Sequence, residues 1–310
     1  DNSTLLEKAM NRALELTQSD RELQTSAPLP DVTQEISQCA FSIDALAIAC
    51  HRYKDRPAFG SRTYEIKDGN IHYRSQFATI TYHQLWLRIQ HIANGLYHGN
   101  LACPGEIVNL IGFSSEDIFT ADLALHYLAA VSTPIAYNFS PNELTAILNE
   151  CESRTILCSV EQLEAVCEVL HLCQLVRHII VIDLVSGDHS QCMAIGRAKK
   201  VLQKNALSVD VLTLADVERV GEDFAVKDMV RPRVGSDPLM SLCYTSGSTG
   251  RPKGTMYTES RWLERWSSPP LAELAWTPLI TLLFFPANHM AGRKEVMNTI
   301  RQGGVLYFTL

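Results

Sequence analysis

The chain has 310 residues, 46% hydrophobic and 20% charged, with a formal net charge of −7. That length buries a large core and suits one large α/β domain or two coupled lobes, while the acidic balance argues against sequence-independent nucleic-acid binding, which runs on Lys and Arg. No apolar run approaches the ~20 residues that span a bilayer, and the opening DNSTLLEKAMNRALELTQSD places charges where a secretory leader needs an apolar stretch. Nine cysteines, an odd count without a C-x-x-C pair, give no basis for a disulfide framework or a zinc site and are read as reduced, mostly buried thiols of a cytoplasmic protein.

In chain order, residues 3–24 carry apolar positions at helical spacing and predict a helix. Prolines 28 and 30 then predict an extended connector over SAPLPDVTQEI. Ser42–Tyr53 reads as a helix, Thr63–Thr81 as a hairpin turning at Asp68-Gly69, and Tyr82–Gly99 as an amphipathic helix. From there the text alternates: strands at Glu106–Gly112, Ser132–Ala136, Thr155–Ser159 and His178–Asp183, with helices at Glu116–Ala130, Pro141–Cys151 and Gln162–Cys173 between and after them. Short apolar strands separated by helices predict parallel β built from right-handed βαβ units. Residues 184–210 are less regular, and 229–238 reads as a surface connector. Met240–Tyr244 is a strand, Thr258–Trp266 a helix, Ile280–Phe285 a buried strand, Lys294–Gln302 a helix and Val305–Phe308 a last strand.

The chemistry concentrates in TSGSTGRPKG, residues 245–254, which leaves the Met240–Tyr244 strand with three glycines, four hydroxyls, one proline and two cations. Glycines allow positive φ and close backbone approach, and successive N–H groups in such a bend form an anion-binding nest. The hydroxyls of Thr245, Ser246, Ser248 and Thr249 add donors, Lys253 adds a point charge, and Pro252 stiffens the exit. A polyphosphate suits this better than a neutral ligand, and far better than a plain solvated loop. The spacing is not that of G-x-x-x-x-G-K-[ST], because Pro252 stands where that pattern needs Gly and Lys253 is followed by Gly.

YTSGSTGRPKG resembles the phosphate-binding signature of the adenylate-forming superfamily of acyl-CoA synthetases, luciferases and peptide-synthetase adenylation domains. The stretches 78–96 (ATITYHQLWLRIQHIANGL), 104–158 and 284–308 (FFPANHMAGRKEVMNTIRQGGVLYF) are similar to further family segments in the same order. Within the superfamily the chain looks most like the adenylation domain of carboxylic acid reductases, through the leader 21–36, KGTMYTE at 253–259 and PANHMAGR at 286–293. The resemblance implies an α/β fold, the large N-terminal lobe of an adenylate-forming enzyme, with layered, parallel-rich sheets flanked by helices. It implies a helical extension over 1–40, a partial AMP-binding domain over 41–310, and no C-terminal lobe.

It further implies a reaction. ATP, Mg²⁺ and a carboxylic acid bind, the carboxylate attacks the α-phosphorus, and an acyl-adenylate and pyrophosphate form. Thr245, Ser246, Gly247, Ser248, Thr249, Gly250, Lys253 and Gly254 would hold the β/γ-phosphates, and His289 would orient the carboxylate, so His289 and Lys253 are the candidate catalytic pair. In a reductase the acyl group passes to the phosphopantetheine thiol of a carrier domain and leaves as an aldehyde through NADPH; in a CoA ligase the acceptor is CoA. No nucleic acid or membrane partner is expected. The implied metal-holding acid, ribose-binding aspartate and mobile lobe would lie past Leu310, so the fragment alone is expected to be a poor catalyst. A plain acyl- or aryl-CoA synthetase and a non-catalytic nucleotide-binding domain are the alternatives.

Other residues read more plainly. His51, His83, His91, His98 and His126 sit in helical text as surface or satisfied core residues. Trp262, Trp266 and Trp276 suit core packing, and an aromatic acyl pocket second. Glu259 and Glu264 suit helix-surface or capping roles ahead of Mg²⁺ contact, Cys243 is a strand thiol, and Ser114-Ser115 a helix cap.

Overall fold

A computed structural model of the chain describes residues 2–224, 237–245, 252–267 and 278–309. It opens with three helices, α1 (Asn2–Ser19), α2 (Arg21–Thr25) and α3 (Pro30–Ser37), then α4 (Ser42–Arg52). The connector expected over 26–36 is therefore half helix. Pro30 occupies the first helical turn, where its missing N–H has no partner to lose and its fixed φ suits the helix. Val32 and Ile36 on this helix are fully buried, so α3 packs into the main core.

The hairpin of β1 (Pro57–Lys67) and β2 (Asn70–Thr81) turns at Asp68 (φ 50°) and Gly69 (φ 75°), the two left-handed residues that match strand twist in a two-residue loop. α5 (Tyr82–His98) follows, with a reciprocal cap between Thr81 and Gln84. The alternating region then gives β3 (Ile107–Ile111), α6 (Glu116–Leu128), β4 (Val131–Ile135), α7 (Pro141–Cys151), β5 (Thr155–Ser159), α8 (Leu163–Val169) and β6 (His178–Ile182). Two helices lie where irregular text or nothing was expected: α9 (His189–Lys204) and, after β7 (Asp210–Thr213), α10 (Leu214–Glu222). α9 buries only Gln191, Ala198 and Leu202, too thin a stripe to show as periodicity.

The remainder comprises β8 (Leu239–Thr245), β9 (Lys253–Thr258), α11 (Glu259–Ser267), β10 (Ile280–Leu283), α12 (Met290–Arg301) and β11 (Val305–Phe308). Most of the connector expected over 229–238, and Trp276, lie outside the described residues. β10 corrects an expectation of burial: it is the edge of its sheet, with Ile280 41% and Leu282 55% exposed.

Two sheets result. One has the order β7-β6-β5-β3-β4-β8-β9, parallel except for the antiparallel β9; the other has the order β10-β11-β1-β2. Helices cover both faces of the larger sheet, which is why its inner strands are buried almost throughout rather than on alternate residues. One core layer joins the two sheets through Phe59, Tyr82, Ile89, Phe119, Ile300 and Phe308; the other packs Ile147, Leu163 and Val166 on Ile156 and Ile179.

α5 and α10 cross with their backbones almost touching. A Cβ on Gly95 would lie 2.0 Å from the Val217 carbonyl oxygen, and one on Gly221 would lie 1.8 Å from that of His91. Gly→Ala in a helix interior ordinarily gains up to about 1 kcal/mol. Here the sign reverses: Gly95→Ala is expected to lower unfolding stability by about 2 kcal/mol or more, because the obstacle is backbone. Urea titration of the variant against wild type measures it, and a gain in midpoint would contradict the crossing.

Candidate functional site

β3 is the central strand from which the sheet is wound both ways, with β4 and β8 on one side and β5, β6 and β7 on the other. Ligands of open α/β sheets sit beyond the carboxyl ends of the strands at such a reversal. The chain opens a crevice there by a simple device. β4 and β8 are paired at Ser132↔Ser241, and two residues later β4 carries Pro134, which has no N–H to continue the ladder. β8 runs on to Thr245, beside the residues that follow β4.

The ends of the proposed phosphate loop are thereby placed. Thr245 and Lys253 face each other as Cα partners where β8 and β9 begin to separate, and both are exposed. The loop is thus the tip of an antiparallel hairpin rather than a strand-to-helix turn, and KGTMYT returns as β9. Gly254 lies within β9, opposite Tyr244, and a Cβ there would come 3.1 Å from the Tyr244 ring. Its smallness makes room for that ring. Ser246, Gly247, Ser248, Thr249 and Gly250 lie outside the described residues.

His289 is the N-cap of α12, one turn earlier than the helix start expected at Lys294. Its backbone is extended (φ −98°, ψ 124°), and its Nδ1 accepts the Ala291 amide at 3.2 Å. A ring whose Nδ1 accepts carries its proton on Nε2 when neutral, so Nε2 is the donor nitrogen on the side away from the cap. The ring is exposed and stacks on Phe285 at 6.1 Å between centroids. The segment before it is tied to the larger sheet: Ser114 Oγ donates to the Phe285 carbonyl, while Ser115 caps α6 through the Ile118 amide at 3.2 Å. A cavity of about 180 Å³ lies between the sheets, lined by Phe113, Ser114, Tyr137, Phe284, Pro286 and Thr309. Its residues follow β3, β4, β10 and β11, so the carboxyl ends of both sheets converge on it.

A larger cavity of about 360 Å³ lies under the β1–β2 hairpin, beyond β5 and β6, away from Thr245 and His289. Its carboxylates are largely engaged: Arg88 donates to Glu116 at 2.6 Å and to Asp117 at 3.0 Å, and burial beside Asp117 pushes Asp183 well above the usual carboxylate range. The smaller cavity is the better candidate for the chemistry because Phe284 and Pro286, in the segment that leads to His289, line it.

Behind the crevice stands a buried charge network that the sequence did not disclose. Arg293, 2% exposed, donates through Nε to Asp122 Oδ2 at 3.1 Å and through Nη2 to Asp122 Oδ1 and to Ser132 Oγ at 3.2 Å. Its Nη1 donates to Ser241 Oγ and, at 3.7 Å, to Cys243 Sγ. Burial would raise the Asp122 carboxyl, but the Arg293 charge and the bonds from Arg293 and Ser132 hold it below its ordinary range. His126, 5% exposed, is pushed down to about 4 by burial and accepts from Arg293 Nη2 at 3.5 Å, so it stays neutral at neutral pH. The guanidinium carbon lies 4.5 Å from the Trp262 ring centroid. The signal available in the sequence was one Arg at i+4 from His289 and one Asp inside the apolar run FTADLALHYLAA.

Of the other singled-out residues, Trp262 and Trp266 are core. Glu259 is buried and accepts the Ser42 amide, capping α4, whose own N-cap Phe41 has no side-chain acceptor. Glu264 pairs with Arg261 on the surface at 3.3 Å. Six of the nine cysteines are buried and all are free thiols. Among the described residues no group of three His, Cys, Asp or Glu side chains is placed to hold a metal ion, and no helix is long and apolar enough to cross a membrane.

The described features are a parallel sheet that reverses at β3, a hairpin whose ends are Thr245 and Lys253, and an exposed histidine cap on α12, and comparison with known proteins shows what family they belong to. The AMP-binding enzyme family matches residues 46–309. The chain belongs to the AMP-binding enzyme family. Similar curated members are the carboxylic acid reductases of Mycobacterium tuberculosis, 33% identical over 97% of this chain, and of Segniliparus rugosus, 31% identical over 92%. In both cases the chain spans only 26% of the relative's length. The adenylation domain of the Mycobacterium chelonae carboxylate reductase superposes with TM-score 0.90 at 28% identity, covering 97% of this chain and 47% of that one. The Segniliparus rugosus adenylation domain, solved with AMP and a co-purified carboxylic acid, gives 0.89 at 28%, covering 96% and 49%. This AMP-binding enzyme therefore has the α/β lobe of a reductase adenylation domain, with mixed sheets flanked by helices, over about half of that domain's length.

Proposed function

We propose that the chain is the N-terminal lobe of an adenylation domain that activates a carboxylic acid with ATP as the first step of its reduction to an aldehyde. The observation that supports this reading is His289: an exposed helix cap whose Nδ1 is engaged by the Ala291 amide, which leaves Nε2 as the ring nitrogen for a substrate carboxylate. One carboxylate oxygen attacks the α-phosphorus, forming the acyl–O–P bond as the bond between α-phosphorus and bridging oxygen breaks, and pyrophosphate leaves with that electron pair. The difficulty is bringing one anion onto another. Donors fixed in advance lower that repulsion most where charge builds up. In this reading Thr245, Ser246, Gly247, Ser248, Thr249, Gly250 and Lys253 hold the β/γ-phosphates, Gly254 admits the Tyr244 ring that props the hairpin, and His289 holds the carboxylate in line. Mg²⁺ would neutralise phosphate charge when bound, but the described residues offer no cluster for it and Glu259 caps α4 instead.

The helical residues 1–40 act in this proposal as a brace, supported by the burial of Val32 and Ile36, and 41–310 as the catalytic lobe proper. The acyl group would pass to a carrier phosphopantetheine, as suggested by the carrier-linked adenylation structure from Segniliparus rugosus, solved with AMP, that this chain resembles at TM-score 0.88, and leave through NADPH in the cytoplasm. A CoA acceptor is the weaker reading, since acyl-CoA synthetases match at 22–28% identity over 59–84% of this chain.

The test is acid-dependent ATP–pyrophosphate exchange by the complete reading frame that carries this sequence, with aliphatic and aromatic acids. Exchange is expected in wild type and is expected to fall at least tenfold in His289→Asn, which keeps an acceptor for the Ala291 amide and so keeps the cap. His289→Ala is expected to lose about 1 kcal/mol of stability as well. No exchange with any acid, despite AMP binding, would favour a non-catalytic nucleotide-binding domain.

A further inference from the structure

Arg293 sits one helical turn after His289, and nothing in the phosphate chemistry calls for it. Its burial is nevertheless nearly complete, and its bonds reach four elements: α6 through Asp122 and His126, β4 through Ser132, β8 through Ser241 and Cys243, and α11 through the Trp262 face. β8 is the strand that ends at Thr245, and α12 is the helix that begins at His289. The guanidinium therefore ties α12 to β8 through the core. Ser241 Oγ also donates to the Ser132 carbonyl at 2.7 Å, so the same side chain is held at the one register where β4 and β8 pair.

We propose that Arg293 is a positioning residue that sets the register of α12 against β8, and so the placement of the carboxylate-holding His289 relative to the phosphate-holding loop. The proposal rests on the reading of His289 and the hairpin tip given above. A planar fork is needed for this. Arg293 directs donors from three nitrogens along fixed, coplanar directions to a carboxylate, two serines and a thiol, whereas a lysine offers three donors from one point and leaves some of these buried acceptors unpartnered. Displacing reacting groups by ~1 Å can cost on the order of a hundredfold in rate without removing any group that touches substrate.

The test uses Arg293→Lys and the paired apolar replacement Asp122→Leu with Arg293→Met, each in the complete reading frame. The second variant removes both charges together and so guards against simple failure to fold. Active-site concentration is fixed by titration with an acyl-sulfamoyl adenosine, and exchange constants are expressed per active site. The expected result is kcat/KM for the acid lowered at least tenfold in both variants, with the KM for ATP within about threefold of wild type, because the hairpin tip keeps its own groups. In parallel, the ¹⁵N imidazole signals of His289 and the hydrogen-exchange protection of the Ala291 amide are followed in the 310-residue chain; both are expected to change in Arg293→Lys. A residue that only supports the fold would lower the titratable fraction and leave the constants per active site unmoved. Wild-type constants per site, or unmoved His289 and Ala291 signals, overturn the proposal. Absence of exchange in the wild type would instead overturn the proposed function, and the spectroscopic arm would still decide the register claim.

Discussion

Replacing Thr249 and Lys253 together by alanine is expected to lower acid-dependent pyrophosphate exchange by about 10²- to 10⁴-fold. Each charge-assisted contact to phosphate is worth about 1.5–3 kcal/mol, and each 1.4 kcal/mol is a factor of ten. Lys253 is exposed on β9 opposite Thr245, and among the described residues no ion pair holds it. Thr249 lies outside the described residues. The substitutions remove no buried group from β8 or β9, so the melting temperature is expected to stay within a degree or two of wild type. Steady-state exchange at saturating acid, with ATP varied, separates the effects. A rise in KM for ATP alone would mean that the loop grips ground-state phosphate, and a fall in kcat would mean that it acts as charge moves onto the leaving pyrophosphate. A change below threefold in kcat/KM for ATP would remove the hairpin tip from the site.

Which features show in a sequence and which do not comes down to local against distant causes. Residues 245–254 carry their chemistry in composition: glycines, hydroxyls and a lysine serve a polyphosphate wherever the neighbours lie. The same holds for β3, β5 and β6, whose apolar runs mark a sheet covered on both faces, and for the Asp68-Gly69 turn, whose left-handed pair needs no tertiary help. Pro30 misled because proline breaks a helix interior but suits its start, and only the path of the chain says which applies. α10 was missed although Thr213 and Asp216 form a reciprocal cap, because the helix is short and gains its stability from contact with α5 across Gly95 and Gly221. β9 was read as loop because its pairing with β8 is settled across the hairpin rather than by its own pattern, which exposes four of its six residues. β10 looked buried because Ile280, Leu282 and Phe284 are apolar; their exposure is a fact about the sheet edge. The deepest omission is the pairing of Asp122 with Arg293, 171 residues apart. No local signal joins an aspartate in one helix to an arginine in another. A lone charge in an apolar stretch says that a partner exists and not where it is.

That pairing also sets the largest stability effect. Asp122→Leu alone is expected to cost about 3–5 kcal/mol, because it leaves the buried Arg293 guanidinium without its counter-charge. Asp122→Leu combined with Arg293→Met is expected to recover most of that loss, since removing both charges removes the desolvation penalty along with the attraction; replacements of buried pairs by apolar residues of similar size run from neutral to a gain of about 1–4 kcal/mol. The recovery has one identifiable drag. In the paired variant Ser132 Oγ loses both its acceptor, Asp122 Oδ1, and its donor, Arg293, while Ser241 Oγ loses a donor and keeps the Ser132 carbonyl as acceptor. His126 is already held neutral by burial, so losing the neighbouring cation creates no new buried charge there. Chemical denaturation of wild type, both single variants and the double variant gives the coupling energy directly. A large negative coupling means that the two side chains are one unit, as their geometry states. Additive losses, with the double variant worse than either single, would mean that the ion pair is not what the core is built around, and the register claim for α12 would lose its physical basis with it.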